Sequence, residues 1–210
     1  MAAIIFDFDG TLADTVHGIL ATAQETLRRM GRGPADEAAL AATIGLPLRC
    51  NFTQGVGLSE EEADQAVEIY RDIFDTVAPP LVRSFPGVEE TLRTLHERGI
   101  PMAVATSRGR HSLLMLMQQL GLDAYIPPEH CFAVDSVARP KPAPDMVYLI
   151  LAKLGVRPEE TLVVGDTTFD IEMGRNAGCH TCGVSYGNQS ADTLAGASPD
   201  YIIDDLRKLL

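Results

Sequence analysis

The 210-residue sequence has little positive charge. Its 17 lysine and arginine residues are outnumbered by 29 aspartate and glutamate residues, which gives a formal net charge of -12. No stretch is rich enough in lysine or arginine to form a patch that could neutralise a nucleic-acid backbone. This balance disfavours nucleic acid as a structural partner, but it does not exclude a small phosphorylated substrate.

Long hydrophobic runs are also missing. The most apolar stretches, Leu113 to Met117 and Val147 to Ala152, are far shorter than the roughly 18 to 20 residues that a membrane-spanning helix needs. We therefore expect no membrane segment. The N-terminus has no basic region and reaches Asp7 before a secretory hydrophobic region could attain its ordinary length, so we expect a cytoplasmic location.

Cysteine is rare, with four residues in the whole chain, which is too few for a disulfide-based fold. Cys50 and Cys131 stand alone in apolar surroundings, where a cysteine is usually a small buried side chain. Cys179 and Cys182 have the spacing of a redox or zinc pair, but they lie in a strand-like run without a second ligand pair. We predict structural roles for all four, and the sequence leaves a redox role of the last pair open.

Apolar residues are plentiful, at 46% of the chain against 22% charged residues, as is typical of a protein with a packed core. Short apolar runs of strand type alternate with segments whose apolar residues recur at helical spacing and end at glycine. This alternation predicts an α/β fold with a doubly wound, mainly parallel sheet and a Rossmann-like core. The strand candidates are Ala3 to Phe8, Pro101 to Thr106, His130 to Val134, Thr161 to Gly165, Thr181 to Ser185 and Tyr201 to Ile203.

One long segment interrupts the alternation. From residue 16 to residue 83 no strand candidate occurs, and the apolar spacing is helical. This length suits a small inserted subdomain. We predict an α/β core made of residues 1–15 and 84–210, with an all-helical cap subdomain over residues 16–83.

Two carboxylates, Asp7 and Asp9, stand at the end of the first predicted strand and are followed at once by Gly10. Ligands of open α/β sheets bind outside the carboxyl ends of the strands, so this position makes the pair a site candidate. Paired carboxylates can divide the work, because one stays ionised as a nucleophile or metal ligand while its neighbour carries a proton.

Polar groups also follow three later strands. Thr106 and Ser107 close the second strand, and Lys141 lies between prolines after the third. Asp166 and Asp170 follow the fourth strand, where a helix begins. Each group alone is a weak signal. Their appearance at successive strand ends predicts one shared site.

The pattern resembles the haloacid dehalogenase-like phosphohydrolase superfamily over essentially the whole chain. D-F-D-G-T-L-A-D-T corresponds to its first motif, Thr106 to the second, Lys141 to the third and G-D-T-T-F-D to the fourth. Together with G-L-P-L-R in the insert and R-P-K-P-A-P-D in the core, these motifs are most similar to the phosphoglycolate phosphatase and pyrophosphatase group. The resemblance implies the same α/β core with a helical cap.

The resemblance also implies a mechanism and a Mg²⁺ cofactor. Asp7 is expected to attack phosphorus and form an aspartyl-phosphate, and Asp9 to act as general acid and then general base. The Asp7 carboxylate, the Asp9 backbone carbonyl and Asp166 are expected to hold Mg²⁺. Asp170 is expected to bind the metal through water or to orient its surroundings.

The remaining implied roles concern the substrate. Thr106, the N–H of Ser107 and Lys141 are expected to neutralise phosphate oxygens. Gly10 and Thr11 are expected to shape the loop over the metal. In the cap, Arg49 is the candidate for binding a substrate anion, with Arg108 in the core as a less favoured one. The substrate is then a small phosphorylated metabolite, such as a phosphoglycolate-like compound, pyrophosphate, a sugar phosphate or a nucleotide, and the protein is a monomer or a homodimer.

Three other functions share parts of this pattern. Dehalogenases of this fold lack the second carboxylate, so Asp9 argues against one. Phosphomutases of the superfamily carry a histidine where this sequence has Ile19, which puts that activity in doubt. A receiver-like regulatory module, which accepts phosphate without turnover, also places acidic residues, a threonine and a lysine at strand ends. The helical insert and Asp9 count against it.

Overall fold

The central feature of the protein is a six-stranded parallel sheet, seen in a computed structural model that describes residues 1–210. A separate two-stranded antiparallel sheet lies at the boundary of the predicted insert. The strands are β1 (Ala3–Phe6), β2 (Ala13–Asp14), β3 (Arg83–Ser84), β4 (Met102–Ala105), β5 (Cys131–Phe132), β6 (Thr161–Gly165), β7 (His180–Val184) and β8 (Tyr201–Ile203).

Nine α-helices connect or cover these strands. Four of them, and the π-helical turn Asn51–Val56, lie between β2 and β3. The helices are α1 (Val16–Arg29), α2 (Glu37–Ala41), α3 (Leu48–Cys50), α4 (Glu60–Val77), α5 (Val88–Glu97), α6 (Arg110–Gln119), α7 (Asp145–Leu154), α8 (Thr168–Asn176) and α9 (Ala191–Gly196). None of them combines the length and the apolar character that a membrane crossing requires.

The large sheet is covered on both faces, as the continuous apolar strand runs predict. Its order is β5-β4-β1-β6-β7-β8, so the first strand of the chain lies in the middle. Successive side chains of a strand point to opposite faces. Ile4 and Phe6 of β1 accordingly belong to one hydrophobic cluster, and Ile5 belongs to another. The predicted doubly wound, mainly parallel α/β fold is confirmed.

The helical insert is built around α1 and α4, which pack against each other. Ser59 begins α4 with a reciprocal capping box, in which its side chain accepts from the N–H of Glu62 and Glu62 accepts from the N–H of Ser59. The buried face of α4 includes Tyr70 and Phe74, whose ring centroids are 5.7 Å apart. Both residues line a cleft that Asp7, which follows β1 at the carboxyl edge of the large sheet, also lines.

The two connections between core and insert run side by side. β2 and β3 pair with Ala13 opposite Ser84 and Asp14 opposite Arg83. Neither strand is predicted from the sequence, and Arg83 lies at the end of the segment in which no strand candidate was found, because two residues are too few to show a period. The division into a core of 1–15 and 84–210 and a cap of 16–83 stays a prediction, which this pairing at the boundary supports.

The four cysteines are free thiols. Burial raises the pKa of Cys179 to about 11 and the pKa of Cys182 to about 12. Thiolates are the reactive form of cysteine, so such values are typical of structural residues.

A substitution at Gly174 tests the packing of α8 against the sheet. A Cβ at this position would lie 2.7 Å from Thr181 Cγ2 and 2.9 Å from Val163 Cβ. We expect Gly174→Ala to lower the free energy of unfolding by about 1–3 kcal/mol, because the crowded helix must move. Gly196→Ala is the matched control, since nothing lies within 4 Å of its Cβ position, and we expect no loss there. Urea unfolding of both variants measures the difference, and equal stabilities would contradict the packing argument.

Candidate active site

Lys141 lies at the centre of a buried charge cluster formed by the loops that follow the strands. Its Nζ atom is 2.5 Å from Asp7 Oδ1 and 2.6 Å from Asp170 Oδ1, and its side chain is only 2% exposed. Burial opposes the lysine charge, but the carboxylates of Asp170 and Asp7 outweigh it and raise the pKa of Lys141 well above its ordinary value. The structure thus joins the first, third and fourth sequence motifs.

Asp166 completes the cluster. Carboxylate oxygens of Asp7, Asp166 and Asp170 lie within 4.8 Å of one another, and all three residues are buried. Three carboxylates with one lysine leave an excess of two negative charges. Burial raises the pKa of Asp7 well above its ordinary value, although Lys141 opposes the rise. Burial, followed by the charge of Asp170, raises the pKa of Asp166 to about 7.

This donor set fits Mg²⁺. Carboxylate and carbonyl oxygens are the ligands that this ion prefers. A divalent cation carries the two positive charges that the cluster lacks, and uncompensated charge inside a protein is costly. The raised pKa values of Asp7 and Asp166 also indicate that the cluster lacks positive charge. The expected ligands Asp7 and Asp166 therefore suit the ion in both chemistry and charge.

Asp166 is held in place by donors from two loops. Its Oδ1 accepts from Thr11 Oγ1 at 3.1 Å, and its Oδ2 accepts from the backbone N–H and the side-chain amide of Asn188, both at 2.7 Å. Gly10 has a φ of +90°, and a Cβ there would lie 2.1 Å from Asp166 Oδ2. This position therefore requires glycine, both for its backbone conformation and for space.

Asn188 is a further residue of the site that is not among the predicted ones. The Asn188 side-chain amide also donates to the Asp9 backbone carbonyl at 3.3 Å, so this residue links two of the expected metal ligands. Asn188 lies in the loop after β7. Its signal was available, because that loop also leaves the carboxyl edge of the parallel sheet, but the interpretation stopped at the fourth strand end.

Asp170 has a different environment from Asp166. Its Oδ1 contacts Lys141, while its Oδ2 accepts from the N–H and the hydroxyl of Thr167 at 3.0 and 2.7 Å. Both oxygens thus have protein donors. This arrangement supports the expected indirect role of Asp170, namely to orient the charges around the metal.

Asp9 lies outside the acidic cluster and faces a cleft between the core and the insert. Its carboxylate accepts from Thr15 Oγ1 at 2.7 Å and from Arg108, whose Nη2 is 2.5 Å from Asp9 Oδ1. The cleft has a volume of about 670 Å³, and Asp7 also lines it. Asp7 and Asp9 therefore share one opening but have different partners, as a division of roles requires.

Thr106 and Ser107 close the same cleft at the end of β4. The Thr106 hydroxyl accepts from the N–H of Arg108 at 3.1 Å. The Ser107 hydroxyl is buried without a hydrogen-bond partner, and its backbone N–H has no acceptor. Unsatisfied buried donors are rare. Ser107 therefore offers a place for an anionic oxygen.

Arg49 lies apart from these residues, on the insert side of the cleft. Its guanidinium pairs with Glu60 and, at 2.5 Å, with Asp64, and its side chain is 44% exposed. The structure thus places Arg49 on the cleft wall with two acidic partners. Its contact with a substrate anion stays a prediction.

The raised pKa of Asp166 implies a pH-dependent stability in the presence of EDTA. Between about pH 4, the ordinary aspartate value, and about 7, the folded protein holds a proton that the unfolded chain has released. The free energy of unfolding must therefore fall as the pH rises through this range. We expect Asp166→Asn, which cannot ionise, to weaken this fall.

Urea unfolding at pH 5 and pH 8 measures the effect. Asp72→Asn is the matched control, because Asp72 is an exposed residue of α4. The free energy of unfolding of this variant should change with pH as that of the wild type does. If the free energy of unfolding of Asp166→Asn fell with pH as steeply as that of the wild type, the assignment of the raised pKa to Asp166 would be wrong.

Comparison with known proteins agrees with this geometry. The model of the haloacid dehalogenase-like hydrolase family matches residues 4–184. The chain is 38% identical to "Probable phosphatase IndB" of Dickeya dadantii over 99% of this chain and 91% of that protein. It is 33% identical to the pyrophosphatase PpaX of Bacillus velezensis over 100% of this chain and 95% of that protein.

Among solved structures, the crystal structure of a predicted phosphoglycolate phosphatase from Haemophilus somnus superimposes with a TM-score of 0.92. It is 25% identical in sequence and covers 100% of this chain and 96% of its own. The buried Lys141 cluster at the end of the central strand thus occurs in a fold shared with hydrolases. The chain belongs to the haloacid dehalogenase-like hydrolase family, in which these relatives are named as phosphatases.

Proposed function

We propose that this hydrolase is a Mg²⁺-dependent phosphatase that cleaves a small phosphorylated metabolite through an aspartyl-phosphate intermediate. The observation that carries the proposal is the buried cluster of Asp7, Lys141, Asp166 and Asp170. Asp7 of this cluster lines the cleft, as do the unsatisfied donors of Ser107. The names of the relatives favour a phosphoglycolate-like compound or pyrophosphate over a sugar phosphate or a nucleotide.

The Asp7 carboxylate, the Asp9 backbone carbonyl and Asp166 would hold the metal. When bound, Mg²⁺ supplies positive charge beside the nucleophile and the phosphate oxygens. Thr11 and Asn188 keep Asp166 in position, and Asp170 keeps Lys141 beside Asp7. These contacts fix the acidic cluster before a substrate arrives, as electrostatic catalysis requires.

Asp7 is the proposed nucleophile. One of its carboxylate oxygens forms a bond to phosphorus while the bond from phosphorus to the leaving oxygen breaks, and Asp9 gives that oxygen its proton. Asp9 then takes a proton from water, whose oxygen attacks the phosphorus of the aspartyl-phosphate and releases inorganic phosphate and Asp7. Lys141, the Thr106 hydroxyl and the Ser107 N–H would balance the negative charge of the phosphate oxygens in both steps.

The helical insert would cover the leaving group and limit the access of water. Ile19 of α1 lines the cleft, and its side chain cannot exchange protons with a sugar hydroxyl. This supports hydrolysis over mutase activity. The location in the cytoplasm and the choice between monomer and homodimer stay predictions.

The nucleophile is tested by measuring phosphate release with Mg²⁺ from phosphoglycolate, pyrophosphate, hexose phosphates and nucleoside monophosphates. We expect Asp7→Asn to lower kcat by about 10³-fold or more, because the amide cannot form the acyl phosphate. The exposed variant Asp72→Asn should keep wild-type activity. An Asp7→Asn protein that matches the wild type would contradict the mechanism. Stable labelling of the wild type by acetyl phosphate, without turnover, would favour a receiver-like module.

Thermal unfolding at pH 7.5 tests the metal site independently of catalytic activity. Saturating Mg²⁺ should raise the Tm of the wild type by about 5–10 °C relative to EDTA, since a ligand at 100 times its Kd stabilises by about 2.7 kcal/mol. We expect Asp166→Asn to lose most of this shift and Asp72→Asn to keep it. A full shift in Asp166→Asn would show that the ion binds elsewhere.

A further inference from the structure

We propose that Arg108 is a specificity-determining residue, which binds a second anionic group on the leaving side of the substrate. This inference rests on the proposed phosphatase function and deepens it. Arg108 lies two residues after Thr106, at the carboxyl end of β4. It lines the cleft between core and insert together with Asp7 and Asp9.

The position of Arg108 follows from its contacts with Asp9. Its Nε atom is 3.2 and 3.0 Å from the two carboxylate oxygens of Asp9, and its Nη2 is 2.5 Å from Asp9 Oδ1. In the proposed reaction Asp9 must touch the leaving oxygen to protonate it. The Arg108 guanidinium is therefore hydrogen-bonded directly to the group that would contact the leaving oxygen.

The guanidinium retains free hydrogen-bond donors. Of its five N–H groups, two donate to Asp9 and a third reaches Ser112 Oγ at 3.4 Å. No other acceptor contacts it. Arg108 can thus bind a carboxylate or a phosphoryl oxygen of the substrate without releasing Asp9. Its planar fork and permanent charge suit both anions.

An aromatic ring of the helical insert packs against the Arg108 guanidinium. The Cζ atom of Arg108 lies 4.7 Å from the centroid of the Phe74 ring in α4, and the Arg108 side chain is 7% exposed. A cation on an aromatic face is attracted to it. Charges excluded from water also interact more strongly. Arg108 therefore contributes more to anion binding than an exposed arginine would.

The other cationic side chains of the cleft are less suited to this role. Arg49 already pairs with Glu60 and Asp64, and the guanidinium of Arg110 donates to the backbone carbonyls of Cys131 and Pro128. Arg71 also lines the cleft but is exposed. Arg108 alone combines burial, free donors and contact with the proposed acid.

This position limits the class of substrate. The second anion must lie within one or two atoms of the ester oxygen, because Arg108 directly adjoins the acid that protonates that oxygen. Phosphate esters of 2-hydroxy acids and diphosphates meet this condition. Esters with a neutral leaving group would gain nothing from Arg108.

The test compares 2-phosphoglycolate with 2-hydroxyethyl phosphate, which has a hydroxymethyl group in place of the carboxylate. We expect Arg108→Met to lower kcat/KM for phosphoglycolate about 10- to 100-fold more than for hydroxyethyl phosphate, as the loss of a charged hydrogen bond implies. The selective loss should lie mainly in KM. Arg108→Lys, which keeps the charge but not the fork, should lose less.

Binding gives an independent readout. In the Asp7→Asn background, calorimetry with phosphoglycolate should show a Kd at least about 10-fold weaker when Arg108→Met is added. If Arg108→Met does not fold, as judged by thermal unfolding, Arg108→Lys carries the same comparison. Arg71→Met is the control and should leave the ratio between the two substrates within about 3-fold of the wild type, since exposed charges contribute little. Arg49→Met is measured beside it to detect an anion site on the insert.

The possible outcomes are separable. Equal losses on both substrates would overturn the proposal and make Arg108 a positioning residue for Asp9. A selective loss in Arg49→Met or Arg71→Met, but not in Arg108→Met, would overturn it in favour of an anion site on the insert. If the wild type hydrolyses only hydroxyethyl phosphate, the phosphatase function stands and the inference fails. If it hydrolyses neither compound nor any other phosphate ester, the proposed function itself fails.

Discussion

The ion pairs of Lys141 with Asp7 and Asp170 are the constraint on which the site depends. Burying three carboxylates together is costly unless positive charge accompanies them. Lys141 balances one of the three charges and leaves two negative charges, which suit the proposed divalent cation. The same excess charge works against stability in the absence of metal, as the raised pKa of Asp166, about 7, indicates. Stability and function therefore make opposite demands on these residues.

The sheet order explains how residues so far apart in sequence meet. β1 lies between β4 and β6, so the loops after these three strands open onto one edge. In a doubly wound sheet the order of the strands reverses beside the first strand, and the crevice that this creates is the usual ligand site. Phe74 extends the arrangement to the insert, because its contact with Arg108 connects α4 to the proposed acid Asp9.

Prediction from sequence succeeded where a local pattern had one physical meaning. Continuous apolar runs such as Ala3–Phe6 fit only strands covered on both faces or buried helices, and their length excluded helices. It failed for β2 and β3, since two-residue strands have no period to detect. It also passed over Asn188, which lies 22 residues after Asp166 in the loop that follows the next strand of the sheet.

The fold class, the insertion of helices after the first strand and most of the polar site residues at the strand ends follow from the amino-acid sequence alone. They do so because they depend on periodicity and on the order of elements along the chain. How those residues pair with one another depends on the tertiary structure. Asp166 and Asp170 look alike in the fourth motif, yet one is bound by Thr11 and Asn188 and the other by Lys141 and Thr167. The contacts with Thr11, Asn188 and Lys141 join side chains from different loops, and sequence spacing carries no information about them.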